Sequence, residues 1–156
     1  MKNLYISEVL LLSEKDKKAK KINLDKKRTL IFGKNDTGKS SLIKSIYRTF
    51  GAETTINSKF AKSNVISSVK FSLDDISYQI IRDQKRFAIF RSNELIKICD
   101  SVTNELAPFF SELFNFKPLF QSKNNNFIVP PPAFLLLPFI LTRMKVGQKV
   151  GIHLKI

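Results

Sequence analysis

The spacing of apolar residues changes several times along the 156-residue chain, and each change predicts a different element. Residues 4–12 alternate at first and then run into three leucines, which predicts a strand near a sheet edge that becomes buried. Residues 22–24 are expected to form the return strand. Residues 29–32 form a short apolar run that stops at a glycine, which is typical of a buried central strand in an α/β sheet.

Helical spacing begins soon after this run. Leu42, Ile43, Ile46 and Phe50 fall on one face of a helix over residues 38–50. Gly51 stands where a helix commonly ends, because glycine readily adopts the left-handed conformation that terminates one. We therefore expect an α-helix that follows the apolar run.

Residues 69–95 have a period of two. Their apolar side chains alternate with polar ones in three segments, separated by Asp74-Asp75 and by residues 83–86, which predicts an antiparallel meander. Residues 102–116 again carry a helical stripe, although Pro108 should kink or restart that helix. Strands and helices of these kinds predict an α/β fold.

The strongest chemical signal lies between the apolar run and the helix. Residues 33–40 match the Walker A, or P-loop, pattern G-x-x-x-x-G-K-[ST] at every fixed position. Glycines let backbone N–H groups wrap around phosphate oxygens, and the following helix presents its positive N-terminal end to the same anion. Lys39 would add a charge at the β and γ phosphates, and the Ser40 hydroxyl would be a Mg²⁺ ligand. The alternative is a glycine-containing turn that binds nothing.

Nine residues are expected to form the binding site for ATP and Mg²⁺, and only Ser40 among them is expected to bind the metal. They are Gly33, Lys34, Asn35, Asp36, Thr37, Gly38, Lys39, Ser40 and Ser41. The carboxylate of Asp36 would repel phosphates unless it pointed outward, so its side chain is given no ligand role. The sequence assigns no catalytic residue.

The order of strand, basic turn, return strand and residues 29–42 resembles the N-terminal ATPase lobe of SMC/SbcC-type and RecF-type proteins, which are ABC-like chromosome and DNA-repair ATPases. This resemblance covers residues 1–139 and implies a P-loop NTPase half-head with a central strand, a P-loop helix and an antiparallel β meander. It also implies that two heads engage in an ATP-dependent manner, with DNA held across them. The expected partners are therefore ATP, DNA, and a second ATPase head or a nuclease.

A head of this family also needs a strand ending in Asp-Glu and a Ser-Gly-Gly-rich signature segment, and neither is visible in the sequence. We therefore expect a truncated, ATP-binding portion that is not competent for hydrolysis alone. The alternative is a non-catalytic, nucleotide-gated module that binds nucleic acid.

Residues 140–156 differ from the rest of the chain. They contain no acidic residue, and they show no clear helix or strand period. One explanation is a divergent basic tail. The other is a frame change after Phe139, because suitable codons re-read there as an acidic string with a glutamine where family heads place a Q-loop residue.

The chain is strongly basic, with 27 Lys and Arg against 13 Asp and Glu and a formal net charge of +14. This charge favours polyanions such as nucleic acid or an acidic membrane surface. Many of the basic residues precede the glycine loop, where they predict either contact with a phosphate backbone or a solvated hairpin. They are Lys15, Lys17, Lys18, Lys20, Lys21, Lys26, Lys27 and Arg28.

Cellular location is indicated by two features of the sequence. Cys99 is the single cysteine, and the first twenty residues lack the pattern of a secretory signal, so a cytoplasmic protein is expected. The most apolar stretch, residues 127–141, is broken by prolines and is shorter than the roughly twenty residues of a membrane span. No membrane partner is expected.

Overall fold

The computed structural model describes residues 3–25, 29–34, 38–55, 58, 62–121, 125–136, 141–142 and 151–153. Helices α1 and α2 comprise Lys39–Thr49 and Ala107–Leu113; a π-helical turn covers Val102–Leu106 and a 3₁₀ helix covers Pro132–Leu136. The strands are β1 (Leu4–Ser13), β2 (Lys18–Asn23), β3 (Thr29–Leu30), β4 (Val65–Leu73), β5 (Ile76–Asp83), β6 (Arg86–Arg91), β7 (Glu94–Cys99), β8 (Phe120–Gln121), β9 (Phe127–Ile128), β10 (Leu141–Thr142) and β11 (Gly151–His153).

Six of the strands form one antiparallel sheet in the order β2-β1-β4-β5-β6-β7. Asp74 and Asp75 link β4 to β5, and Ser92 and Asn93 link β6 to β7; all four have positive φ, as tight hairpin turns require. The antiparallel meander predicted over residues 69–95 is confirmed, and β7 extends it by one strand.

The hydrophobic core lies on one face of this sheet, under α1, the π-helical turn, α2 and the 3₁₀ helix. An aromatic cluster joins the layers: the ring centroid of Phe71 lies 5.4 Å from Phe50, 5.5 Å from Tyr78 and 6.1 Å from Phe110. All four rings are buried. Burial of such rings is a large favourable term, and it fixes α1 against β4 and β5.

The second helical region changes type close to its proline. The π-helical turn ends at Leu106 and α2 begins at Ala107, with Pro108 in its first turn. A proline in the first turn is tolerated because the backbone N–H that it lacks has no partner within the helix there. The restart predicted at Pro108 is confirmed.

The prediction of an α/β P-loop NTPase half-head with a central strand is wrong. The described fold is mainly antiparallel sheet with two short α-helices. Residues 29–32 are not a buried central strand: β3 has only two residues, and Leu30 and Phe32 are 56% and 71% exposed. A run of four apolar residues indicates a strand but does not specify its partners or its depth in the sheet.

Strand β3 belongs instead to a small sheet of three strands in the order β10-β11-β3. Leu30 pairs with Gly151 and Thr29 with Ile152, both antiparallel. Strands β8 and β9 form a separate two-stranded hairpin. Within the described residues, no helix has the length and apolar character needed to span a membrane.

Candidate nucleotide-binding site

The backbone enters α1 through a residue in the left-handed conformation. Gly38 has φ 85° and ψ 9° and forms the N-cap of the helix, and its carbonyl accepts a hydrogen bond from the N–H of Leu42 at 3.0 Å. A residue with a Cβ is strained at this φ, whereas glycine is not. The second glycine of the motif thus has a clear conformational role.

The side chain of Lys39 folds back over the beginning of the loop. Its Nζ donates a hydrogen bond to the carbonyl of Gly33 at 2.7 Å and another to the carbonyl of Lys34. Lysine can donate three hydrogen bonds, so its ammonium group connects the first residues of the loop to the first residue of the helix. The cation is therefore held beside the first two residues of the loop.

The N-terminus of α1 is suited to an anion. No side chain among the described residues caps it, and its first turn contains no acidic residue but does contain Lys39, Ser40 and Ser41. Gly33 and Lys34 are exposed, so ligands can approach the loop from solvent. The positive end of the helix dipole and the ammonium group of Lys39 therefore meet at an open position.

The opposite face of α1 is firmly packed. Leu42, Ile43 and Ile46 are buried in the core. The hydroxyl of Ser45 donates to the carbonyl of Ser41 at 2.7 Å, so the polar group on this buried face is satisfied. The serine hydroxyls and the lysine of the first turn are thus carried by a helix whose other face packs into the core.

Six of the nine predicted site residues lie together around the start of α1. They are Gly33, Lys34, Gly38, Lys39, Ser40 and Ser41. Asn35, Asp36 and Thr37 lie outside the described residues, so the outward orientation expected for Asp36 stays a prediction. Among the described residues no group of three or more His, Cys, Asp or Glu side chains could hold a metal ion, and the metal role of Ser40 also stays a prediction.

Comparison with known proteins gives one informative match. No protein-family model matches the chain. The chain is similar to Lamassu protein LmuB of Bacillus cereus (strain VD014), with 25% identity over 142 residues. The matched region covers 90% of this chain, so it contains residues 33–41 whichever end of the chain is left out. The chain spans about a quarter of the length of this curated relative.

One residue near α1 has a role that the sequence analysis missed. The guanidinium of Arg82, on β5, donates a hydrogen bond from Nη1 to the carbonyl of Arg48 in the last turn of α1. Burial and the nearby charge of Arg48 lower the pKa of Arg82 to about 10. The sequence does contain a signal for this role. Arg82 continues the inward-facing series Ile76, Tyr78 and Ile80 of β5, where an apolar side chain is usual.

The basic hairpin of β1 and β2 forms a second surface of interest. Lys17, Lys18 and Lys20 surround an open groove of about 540 Å³ whose other lining residues include Leu11 and Val65. The three lysines are exposed. The basic residues 26–28 lie outside the described part of the chain.

Proposed function

We propose that the loop at residues 33–41 binds the phosphates of ATP together with Mg²⁺. The observation that carries the proposal is the position of Lys39, whose ammonium group is held over the carbonyls of Gly33 and Lys34 at the start of α1. A cation, a left-handed glycine and a helix N-terminus converge there. This arrangement requires only a turn followed by a helix, so it does not depend on a parallel central strand.

Each of these groups would act on a different part of the ligand. Backbone N–H groups at Gly38 and in the first turn of α1 would donate to phosphate oxygens. Lys39 would exchange its carbonyl partners for phosphate oxygens, which form stronger, charge-assisted hydrogen bonds. The Ser40 hydroxyl would bind Mg²⁺, a hard cation that prefers oxygen ligands.

We further propose that the chain is the ATP-binding portion of an SMC/SbcC-like ATPase that acts in DNA repair or chromosome maintenance. The order of hairpin, glycine loop and helix supports this proposal, as does the similarity of the chain to LmuB. Because the chain spans about a quarter of that relative, hydrolysis and engagement of a second head or a nuclease are proposals for the whole protein. The chain alone is expected to bind nucleotide without steady turnover.

Thermal melting tests the ATP site. A ligand that binds only the folded state raises the melting temperature, and at 100 times its Kd it stabilises that state by about 2.7 kcal/mol. We expect millimolar ATP with Mg²⁺ to raise the melting temperature of the wild type and to have little effect on Lys39→Ala. Lys18→Ala removes the same charge from the hairpin and should respond like the wild type.

The dependence of the melting temperature on Mg²⁺ tests the role of Ser40 separately from that of Lys39, in the same assay. Ser40→Ala should lose most of the additional shift that Mg²⁺ gives, while it keeps the response to ATP without metal. An equal shift in the wild type and Lys39→Ala would contradict the proposed site, because the binding would then come from general attraction between ATP and a basic protein.

A second candidate function, binding of nucleic acid, is favoured by the groove of the β1–β2 hairpin. Lys17, Lys18 and Lys20 are exposed along one concave surface, whereas Lys21 forms an ion pair with Glu8 at 2.7 Å. Lysines that neutralise DNA phosphates release counterions, which makes the affinity depend on salt. The module would bind DNA at the hairpin and nucleotide at the loop.

The salt dependence of DNA binding tests this second candidate. In fluorescence anisotropy with duplex DNA, the slope of log affinity against log salt should fall by about 2 to 3 when Lys17, Lys18 and Lys20 are all changed to alanine. A control variant with Lys85, Lys117 and Arg91 changed to alanine removes equal charge elsewhere on the exposed surface. Equal slopes for the two variants would show that the net charge alone attracts DNA.

A further inference from the structure

The two ends of α1 are held in different ways. The N-terminus of the helix follows the glycine loop, whereas its C-terminus is hydrogen-bonded to two neighbouring strands of the sheet, β4 and β5. Arg82 of β5 donates to the Arg48 carbonyl through Nη1 and to the Gln84 carbonyl through Nε at 2.7 Å. This second hydrogen bond orients the guanidinium plane toward the helix.

The surroundings of Arg82 suit a cation that is largely removed from water. The carbonyl end of a helix carries partial negative charge, which attracts a positive group. The face of the Phe87 ring lies 5.0 Å from the guanidinium carbon, within the range of a cation–π interaction. Burial is the main reason why the pKa of Arg82 is lowered to about 10, so the contacts must compensate for lost hydration.

A second tether lies directly beside the first. The hydroxyl of Thr49, the last residue of α1, hydrogen-bonds to the hydroxyl of Ser67 on β4 at 2.7 Å, and both residues are buried. Ser67 and Arg82 are partners in the β4–β5 register. One cross-strand pair thus holds two successive residues, Arg48 and Thr49, at the end of the helix.

We propose that the cross-strand pair Ser67–Arg82 is a positioning clamp for the phosphate site at the other end of α1; this rests on the proposed function. A helix of 11 residues is about 16 Å long, so a tilt of about 5° around the clamp moves its first turn by about 1.4 Å. Displacements of about 1 Å strongly weaken interactions that depend on alignment. Release of the clamp should therefore weaken phosphate binding without direct contact with the ligand.

The test compares nucleotide affinity with stability in matched variants. Isothermal titration of ATP with Mg²⁺, at a temperature where melting shows every variant to be folded, should give about 10-fold weaker binding for Arg82→Met. Arg82→Lys keeps the cation and should recover part of the affinity. Arg86→Met is the control, because Arg86 is exposed and pairs only with Asp100 among the described residues.

Hydrogen exchange provides a readout that does not depend on nucleotide. Amides of residues 42–46, whose N–H groups are hydrogen-bonded within the first turns of α1 from Leu42 onward, should exchange faster in Arg82→Met than in the wild type. Ser67→Ala removes only the hydrogen bond to Thr49 and replaces Arg82→Met if that variant fails to fold. A lower melting temperature with unchanged ATP affinity and unchanged exchange at residues 42–46 would overturn the clamp. Absence of ATP binding by the wild type would contradict the proposed function, whereas faster exchange in Arg82→Met would still show that the Ser67–Arg82 pair anchors α1.

Discussion

Two basic side chains, Lys39 and Arg82, donate hydrogen bonds to backbone carbonyls at opposite ends of α1, but their electrostatic situations differ. Arg82 lies at the carbonyl end of the helix, where the dipole attracts a cation. Lys39 lies at the N-terminal end, where the dipole opposes one. A lysine at this position is favourable when an anion lies between it and the helix, which is the chemical basis for a phosphate site here.

Glu8 provides a residue-scale prediction about pH. Its carboxylate lies 2.7 Å from Nζ of Lys21 and 3.7 Å from Nζ of Lys70. The hydrogen bond from Lys21 lowers the pKa of Glu8, and burial opposes this shift only in part. Because the folded-state pKa is the lower one, the stabilisation is present above the unfolded pKa of about 4.3 and is lost as pH falls through the folded value.

Urea denaturation of Glu8→Gln tests this assignment. At about pH 7 the variant should be less stable than the wild type by about 0.5 kcal/mol, and the difference should be smaller at about pH 3. Glu14→Gln, in the exposed turn between β1 and β2, is the control and should match the wild type at both pH values. A deficit in Glu8→Gln that is the same at both pH values would show that packing, not charge, is lost.

At the scale of elements, α1 is bounded by two left-handed glycines with different surroundings. Gly38 has φ 85°, and among the described residues nothing lies within 4 Å of a Cβ placed there. Gly51 has φ 86°, and a Cβ there would lie 2.9 Å from Cγ1 of Val102 and 3.1 Å from Cδ2 of Leu106. The first glycine is needed for its backbone conformation, and the second also for close packing of the helices.

Alanine at each glycine distinguishes these requirements. Gly51→Ala should lower the free energy of unfolding by about 2 to 4 kcal/mol, because backbone strain and overpacking add together. Gly38→Ala should cost only the strain, about 1 to 2 kcal/mol, and should reduce the ATP-induced rise in melting temperature. Urea denaturation measures both losses, and equal losses in the two variants would contradict the packing role of Gly51.

The elements that the sequence predicted well are those with a strong local signal. Helix α1 is confirmed because its apolar residues recur on one face and Gly51 ends it, and β4 to β6 are confirmed because their period is two. Residues 29–32 were misassigned because the pairing of β3 with β11 depends on residues more than a hundred positions away. The clamp was missed for the same reason, since the register that places Ser67 opposite Arg82 cannot be read from either strand alone.

At the scale of the whole molecule, the described residues place helices on one face of the six-stranded sheet, and basic side chains occur both at the glycine loop and on the β1–β2 hairpin. The formal net charge of +14 attracts any polyanion, so affinity for ATP alone does not identify a specific site. The loop differs from the hairpin in that its donors include oriented backbone N–H groups at a helix N-terminus. The position at which ATP binds therefore distinguishes a specific site at the loop from general attraction to the basic hairpin.

Amide NMR of the ¹⁵N-labelled protein during titration with ATP and Mg²⁺ tests the location of the ATP site most directly. An ATP site at residues 33–41 predicts large, saturable shifts at Gly38, Lys39 and Ser40, with the hairpin resonances nearly unchanged, and loss of these shifts in Lys39→Ala. Shifts confined to the hairpin around Lys18 and Lys20, weakened by added salt and retained in Lys39→Ala, would contradict it.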